Sequence, residues 1–588
     1  MSWWENAAFS TALTPKKYDS GIDYRSKCSG YLIKYIKSSQ NSEQAYISVD
    51  KFSIKEWSLM PRLDKLELFP VRDYGAAADG RADDTEAILK AVKACYESGG
   101  GTVVFTPGRY LTGPFEIMSN ILLCLEPGSV ILGSTDIDRY FITHTSMESP
   151  RIGLIYARNA SNVGIVGKGT IDCRGTAFMD MGRPKEGYDF ERRYTRQGER
   201  YMRFENGVED GPVEPLDRPG NSIQFIGCEN VVLRDITVLN SPNWTIHFDD
   251  SKDIIVSGIS IKNNLLIPNS DGIHFTTCKN VRVSDCNIES GDDSLAFTGY
   301  GFPGHKTENV VVTNCTLVSR SSGIRIGYGD NDVENLLFNN LIIRSNRGLG
   351  VFQRNKGNIG NIIFSNIIIN TRLHTGHWWG HGEPIHVSTV FNEGTAQPGT
   401  IGNVKFSNIT ARSETGILVY GCQDSIIRDV SFDNIHLTIV PSRLSESYGG
   451  NMDLRPTDNR SASIFRHDEF GLYARYADSL DIHKFKLDWE GKPAEYFKDA
   501  VRCEHCHNLN IDGFTGRQPH EVGEGAAVAV SRSRGVSIRN CRAQEGTTTF
   551  LLHEDVEDAV LITGNDLSRD KTAIKPAELQ FMQYGNRA

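Results

Sequence analysis

Three acidic residues stand out by type and spacing. Asp271 sits in the turn Asn269-Ser270-Asp271-Gly272, and the adjacent pair Asp292-Asp293 follows 21 residues later between Gly291 and Ser294. Carboxylates brought together by short turns can divide acid and base work, because burial and like charge push their pKa values apart. Taken alone, each motif also suits an aspartate that caps a turn. Grouping the three requires an architecture that sets the two turns side by side.

The phrase between them, KNVRVSDCNI, is strand-like, with apolar residues at Val281, Val283 and Ile288. Its form recurs as SNVGIVGKGTI, ENVVLRDITV, KDIIVSGISI, ENVVVTNCTL, ENLLFNNLII, GNIIFSNIII and GNVKFSNITA, with weaker copies such as CHNLNIDGF further on. Asn230, Asp253, Asn280, Asn309, Asn335 and Asn361 mark successive copies at intervals of 23, 27, 29, 26 and 26 residues. Such a period, with short strands and no helices between them, predicts an all-β chain wound as a parallel β-helix; a β-propeller blade takes about 40 residues or more. Consecutive coils then stack about 4.8 Å apart. Val, Ile, Leu and Phe face inward, and the recurrent Asn and Cys are expected as buried ladders. The interval from Asp271 to Asp292 is slightly under one coil, which places both turns on the same face of neighbouring coils.

The ends and interruptions of the pattern define the organisation. Residues 1–67 read as a small N-terminal β extension, with strands in GYLIKYIK and AYISVDKFSI. Residues 68–588 form the β-helix domain. A helix is predicted from Asp83 to Cys95, with Asp83 as cap, Glu86 as its reciprocal partner, and Ile88, Val92 and Cys95 on one face. In a coiled stack a single helix there covers the open end. Three long segments break the rhythm, at 176–220, 371–399 and 441–499. Loops of this length are often functional. The first is charged and rich in Arg and Tyr, suited to walling one side of a cleft or to forming a solvated flap.

Composition narrows the function classes. The chain has 588 residues, 39% hydrophobic and 23% charged, with 56 Gly, a folded rather than disordered profile. Its net charge of −10 speaks against a general nucleic-acid binder and leaves room for a local basic cleft. No run of 18 apolar residues occurs, so no membrane span is expected, and the first residues lack a secretory pattern, which points to a cytoplasmic location. The 12 cysteines show no disulfide spacing; Cys286 and Cys315 fall at like places in successive repeats and read as stacked thiols. Cys503-Glu504-His505-Cys506-His507 matches a haem-attachment pattern, yet no second ligand pair accompanies it and the segment continues as a repeat phrase. No metal and no cofactor are expected, and nothing in the sequence sets an oligomeric state.

From Phe69 to Ile435 the chain resembles the family 28 glycoside hydrolases, the polygalacturonase family. The likeness rests on FPVRDYGAAADGRADDTEAI, GTIDCRG, NSPNWTIHF, NSDGIHF, SGDDSLAF and WWGHGEPI, in order. It implies a right-handed β-helix and single-displacement hydrolysis with inversion. Asp292 would then be the general acid, while Asp293 and Asp271 hold and deprotonate the attacking water; an inverting site needs that division of labour. Asn269 belongs to the same turn and joins the substrate-binding candidates.

Departures from the family pattern bear on the sugar. Where the family has Gly-His-Gly, this chain has RSSGIRIGYG, with Ser321 or Ser322 in place of His. The Arg-Ile-Lys element that grips a uronate is replaced by Gly350-Val351-Phe352, and the Lys after the Asp pair is Thr298. Arg325 is a candidate replacement contact for a carboxylate or sugar hydroxyls, or else an outward surface arginine; Gln353 and Arg354 follow one coil later. His274, and His247 one coil before it, are expected to face outward beside Asp271. Trp378, Trp379 and His381 lie in a Gly-flanked loop that forms either a sugar-stacking wall or a packing contact.

The leading expectation is therefore an inverting hydrolase acting on a pectin-like or other acidic oligo- or polysaccharide, exo-acting because the long loops would close one end of a groove. Two other classes fit a β-helix: a polysaccharide lyase or epimerase, and a non-catalytic glycan-binding protein.

Overall fold

The computed structural model describes residues 27–28, 31–35, 47–51 and 67–588, except 145–147, 188, 202–206, 396–397, 522–524, 559, 570–571, 577–581 and 585–588. The chain divides into two units, Met1–Asp64 and Lys65–Ala588. In the first, strands Lys27–Cys28, Tyr31–Tyr35 and Ile47–Lys51 pair antiparallel. The second is a right-handed parallel β-helix. Among the described residues one face is a 15-stranded parallel sheet, and most of the other strands join a 26-stranded sheet. From Thr307–Ser319 onward two short strands per coil merge into one strand of 13 residues, repeated at Val333–Ser345, Ile359–Thr371, Ile401–Ser413 and Ile427–Ile439.

Alternation of side chains across each strand sends every second residue into the stack. Identical inward positions then sit directly above one another. Phe225, Phe248, Phe275 and Phe297 stack with ring centroids 5.1–5.2 Å apart. A second column, Phe338, Phe364, Phe406 and Phe432, continues at 4.8–5.1 Å. Such columns fix the register, since a slip of one residue would turn each ring to the solvent side.

The asparagine ladder exists but is not buried. Asn309 Nδ2 donates to Asn280 Oδ1 at 3.2 Å, Asn361 to Asn335 at 3.1 Å and Asn403 to Asn361 at 2.8 Å, along an exposed edge. These residues occupy the left-handed region, with φ of 53–63°, which Asn tolerates better than other side chains. Turn geometry therefore selects Asn here. The thiols do lie inside: Cys286 and Cys315 are buried, donating to the carbonyls of Ser284 and Thr313. Cys503 and Cys506 are likewise buried between coils.

The helix runs Thr85–Glu97 and buries Ala87, Ile88, Ala91, Val92 and Cys95 against the first coils. It starts two residues later than the sequence predicts, because Asp83 ends the strand Asp79–Asp83. Asp83 Oδ1 accepts from the Thr85 backbone at 3.0 Å, whereas Asp84 turns inward to the amides of Ala77 and Ala78 at 2.7 and 3.1 Å. Glu86 stays exposed and does not close a capping box.

The insertions pack over one face of the stack. In the first, Met179–Pro184 pairs with Val213–Pro215 and a short helix spans Asp189–Tyr194. The third is interrupted: Leu472–Arg475 and Ala477–Trp489 are ordinary coil strands in register with their neighbours, so the loop parts are residues 440–471 and 490–500.

Candidate active site

Strand register builds the site. Ile273, Leu295 and Ile324 are partners on three successive coils, so two residues earlier Asp271, Asp293 and Ser322 form a column on the stack. Gly272 N donates to Asp293 O at 2.9 Å and Ser294 N to Ser322 O at 2.9 Å. One coil further, Ser322 pairs with Arg347. Asp292 occupies the adjoining position, its Oδ1 accepting from the Asp293 amide at 2.9 Å. All three carboxylates are at least 95% buried and line one cavity of about 170 Å³ with Glu148, Trp244, Asn269, His274, Tyr300 and Arg325.

Asp293 is held on both oxygens. Ser321 Oγ and Ser322 N each donate to Oδ1 at 2.9 Å, and Arg325 Nε donates to Oδ2. The serines standing at the family's Gly-His-Gly element thus serve a carboxylate. Arg325 Nη2 also lies 3.9 Å from Asp271 Oδ2. Its reach depends on the coil below, where the register partner is Ala296, and on the coil above, where it is Gly350. The short side chain of Ala296 leaves the guanidinium a path down to the carboxylates. At Gly350 an added Cβ would come within 2.5 Å of the buried Phe352 ring, which would have to shift.

Burial raises the other two carboxyls. Asp292 is pushed up to about 7, by desolvation first and the Asp293 charge second. Asp271 is raised well above the usual carboxylate range by desolvation and then by Asp292 and Asp293. Both carboxyls therefore hold a proton more tightly than a free carboxylate does, as an acid-base site near neutrality requires. His274 lies with Nδ1 3.6 Å from Asp271 and is stacked on Trp244 at 3.8 Å. Its burial, then Arg325, pull its pKa well down, so it stays a neutral wall. Thr298, where the family has Lys, is buried 3.2 Å below it.

Several expected contacts lie elsewhere. His247 sits behind the cavity, bonded to Asn221 at 2.9 Å and Thr276 at 3.0 Å. Gln353 Oε1 accepts from the Asn355 amide. Arg354 is fully buried and donates to the carbonyls of Gln353, Ser388, Leu454 and Pro456, clamping loops rather than substrate. Trp378 is buried with Nε1 on Asp210 O at 3.2 Å. His381 is folded under the loop, its amide on Glu383 Oε2 at 2.6 Å. Of that loop's three candidates, Trp379 reaches the cavity.

Other residues in and behind the cavity carried no readable signal. Arg218 donates to Pro242 O, Pro268 O and Asn269 Oδ1 at 2.8–2.9 Å, setting the turn before Asp271. Tyr328 projects from a bulge in which Gly327, Tyr328 and Gly329 all have positive φ, of 117°, 67° and 99°, a strain typical of functional sites. Tyr300, Tyr328, Trp379 and Pro456 form the common wall between the carboxylate cavity and a vestibule of about 1150 Å³. Among the described residues no group of three or more His, Cys, Asp or Glu is arranged to hold a metal ion.

Known proteins are similar to parts of this chain. A probable polygalacturonase from Vitis vinifera is 30% identical over 270 residues, covering 43% of this chain and 49% of that protein. An exo-poly-alpha-D-galacturonosidase from Dickeya chrysanthemi is 27% identical over 262 residues, covering 40% and 43%. The match spans about half the length of these curated relatives. Among solved structures, the family 28 exopolygalacturonase of Yersinia enterocolitica superposes with a TM-score of 0.55 at 18% identity, covering 82% of each chain. The exopolygalacturonase of Thermotoga maritima gives 0.53 at 21% identity, covering 73% of this chain and 92% of that one; both likenesses establish the fold. Residues 68–171 match a rhamnogalacturonase A/epimerase, pectate lyase-like model. The glycosyl hydrolases family 28 model matches residues 131–448, more than half of the sequence and the whole carboxylate column: the chain belongs to glycosyl hydrolase family 28.

Proposed function

We propose that this chain is an inverting glycoside hydrolase that trims pectin-like acidic oligosaccharides from one end. The observation that carries the reading is the column of three buried carboxylates around a small cavity that adjoins a much larger aromatic-walled vestibule. Asp292 gives its proton to the glycosidic oxygen as the C–O bond breaks. Water attacks the anomeric carbon from the opposite side and passes a proton to the Asp271/Asp293 side of the site. At about 30 Å³ per water, a cavity of about 170 Å³ holds roughly six waters, space on the scale of a single sugar ring. The remaining chain then lies in the vestibule against Tyr300, Tyr328 and Trp379, whose faces suit sugar stacking. The names of the relatives, which include exo-acting enzymes, support the same substrate class.

The test is a product screen on end-labelled oligogalacturonides and rhamnose-containing pectic fragments, with the anomer read by NMR before mutarotation. Single sugars released from one end, with inverted configuration, are expected. Unsaturated, ultraviolet-absorbing products would identify a lyase and overturn the proposal; mid-chain fragments from long polymers would remove its exo component. The pH dependence follows from Asp292. With its carboxyl raised to about 7, the acid form is present below that pH and is lost above it. Turnover should fall about tenfold per unit on the alkaline side, measured as kcat against pH.

A further inference from the structure

We propose that Arg325 is a positioning residue, not a sugar contact: its guanidinium is clamped between Asp293 and Asp271 and fixes the carboxylates on the water side of the site. Three observations carry this. The first is geometric, since Nε binds Asp293 while Nη2 lies 3.9 Å from Asp271. The second is sequence register, in which the small residues Ala296 and Gly350 flank Arg325 on the coils below and above. The third is the bulge at Gly327-Tyr328-Gly329, which lays the Tyr328 ring 4.9 Å from the guanidinium carbon and closes the side away from the carboxylates. Arg325 is 9% exposed, so the cation is spent on protein groups. An arginine that bound a uronate would need its fork turned outward.

The groups around it are Asp271, Asp292, Asp293, Glu148, His274, Tyr300, Tyr328 and Arg347. Arg325 lowers the proton affinity of both Asp271 and Asp292, against burial that raises it. Without it Asp271 and Asp292 would hold their protons more tightly, and less carboxylate would be available near neutrality to accept one from water. The cation thus maintains the difference between acid and base inside one small cavity.

The inference rests on the hydrolase reading, and its test has one arm that does not. Arg325→Gln and Arg325→Lys are compared with the unaltered chain in a pH profile of kcat/KM and in a carbon NMR titration of labelled aspartate carboxyls. Arg325→Gln should lower kcat by about 100-fold or more and move the acid limb and the carboxyl transitions upward by about one to three units. Arg325→Lys should restore part of both, because it keeps the charge without the fork. A raised KM confined to uronate-ended substrates, with the pH profile unmoved, would show a sugar contact and overturn the proposal. Unmoved carboxyl transitions in Arg325→Gln would overturn it too. If the unaltered chain hydrolyses no glycoside, the hydrolase reading fails, and the NMR titration still decides the role of Arg325.

Discussion

Asp292→Asn is expected to abolish turnover and to make the protein more heat-stable at neutral pH. Loss of the general acid removes about 10²–10⁴-fold of rate, the usual contribution of a positioned proton donor. The stability effect follows by linkage. The Asp292 carboxyl has a folded pKa of about 7 against an ordinary value of 3.8, so the folded state binds the proton more tightly than the unfolded one. That contribution is fully present below about pH 4 and is lost as pH rises through 7. At pH 7 and above the carboxylate is a buried charge beside Asp293, costing on the order of 2–4 kcal/mol. Asn removes that cost, and the melting temperature should rise by several degrees at pH 7 to 8, with little change at pH 4. Calorimetry at the two pH values and a turnover assay check both halves. An active variant would remove Asp292 from the acid role, and a less stable one at pH 8 would contradict the strained-charge account.

The second large effect is expected at Arg455, far from the carboxylates in sequence. Its guanidinium is fully buried. It donates twice to Asp453 at 2.9 Å, to Glu191 Oε1 at 2.8 Å and to Trp378 O at 3.3 Å. One side chain thus joins all three insertions. Burial opposes charge at Asp453, and Arg455 more than offsets it, holding that carboxyl well below its usual range. Arg455→Ala removes the nearest cation from both Asp453 and Glu191, leaving Arg347 4.0 Å from the first and His377 3.6 Å from the second, a change of the kind that typically costs about 3–5 kcal/mol. The stack has its own continuous apolar core of Ile, Val, Leu and Phe, so the loss falls on the loops. Trp379, 5.8 Å from the guanidinium carbon, would lose its fixed place, and with it the wall between cavity and vestibule. We expect KM for short oligosaccharides to rise by about tenfold or more, protease cleavage within residues 371–399 or 440–471, and longer products from polymeric substrate. Unchanged proteolysis together with unchanged product lengths would refute this role.

Much of this was readable before any coordinates, for a physical reason. A stacked coil repeats its inward positions at a nearly constant interval, so the period from Asn230 to Asn361 announces both the fold and the relation between Asp271 and Asp292-Asp293. What periodicity cannot report is which residues of an aperiodic loop face inward. Trp378 and Trp379 are adjacent and chemically alike; one fills a packing site and its neighbour reaches the cavity. Arg325 lies within one coil strand and Arg354 just after the next, yet one meets carboxylates and the other a ring of backbone carbonyls. For Trp378 and Arg354 the difference is decided by loop carbonyls about 100 or more residues away in sequence, Asp210 for the first and Leu454 and Pro456 for the second, which no local pattern encodes. The Asn ladder was misplaced for another reason: recurrence signals a shared constraint, and here that constraint is backbone torsion rather than depth.

A solenoid whose coils touch only their neighbours resembles a row of dominoes, in which one end can unravel without disturbing the other. The tie through Arg455 changes that mechanics between roughly the Glu191 and Asp453 segments. There the insertions act as a brace laid along the row, so these coils are bound to open together or not at all. The described coil strands from Val501 onward lie outside that span, so an opening among them would not require the brace to part. The catalytic coils sit inside the braced span, and thermal breathing at the terminus would leave them in place.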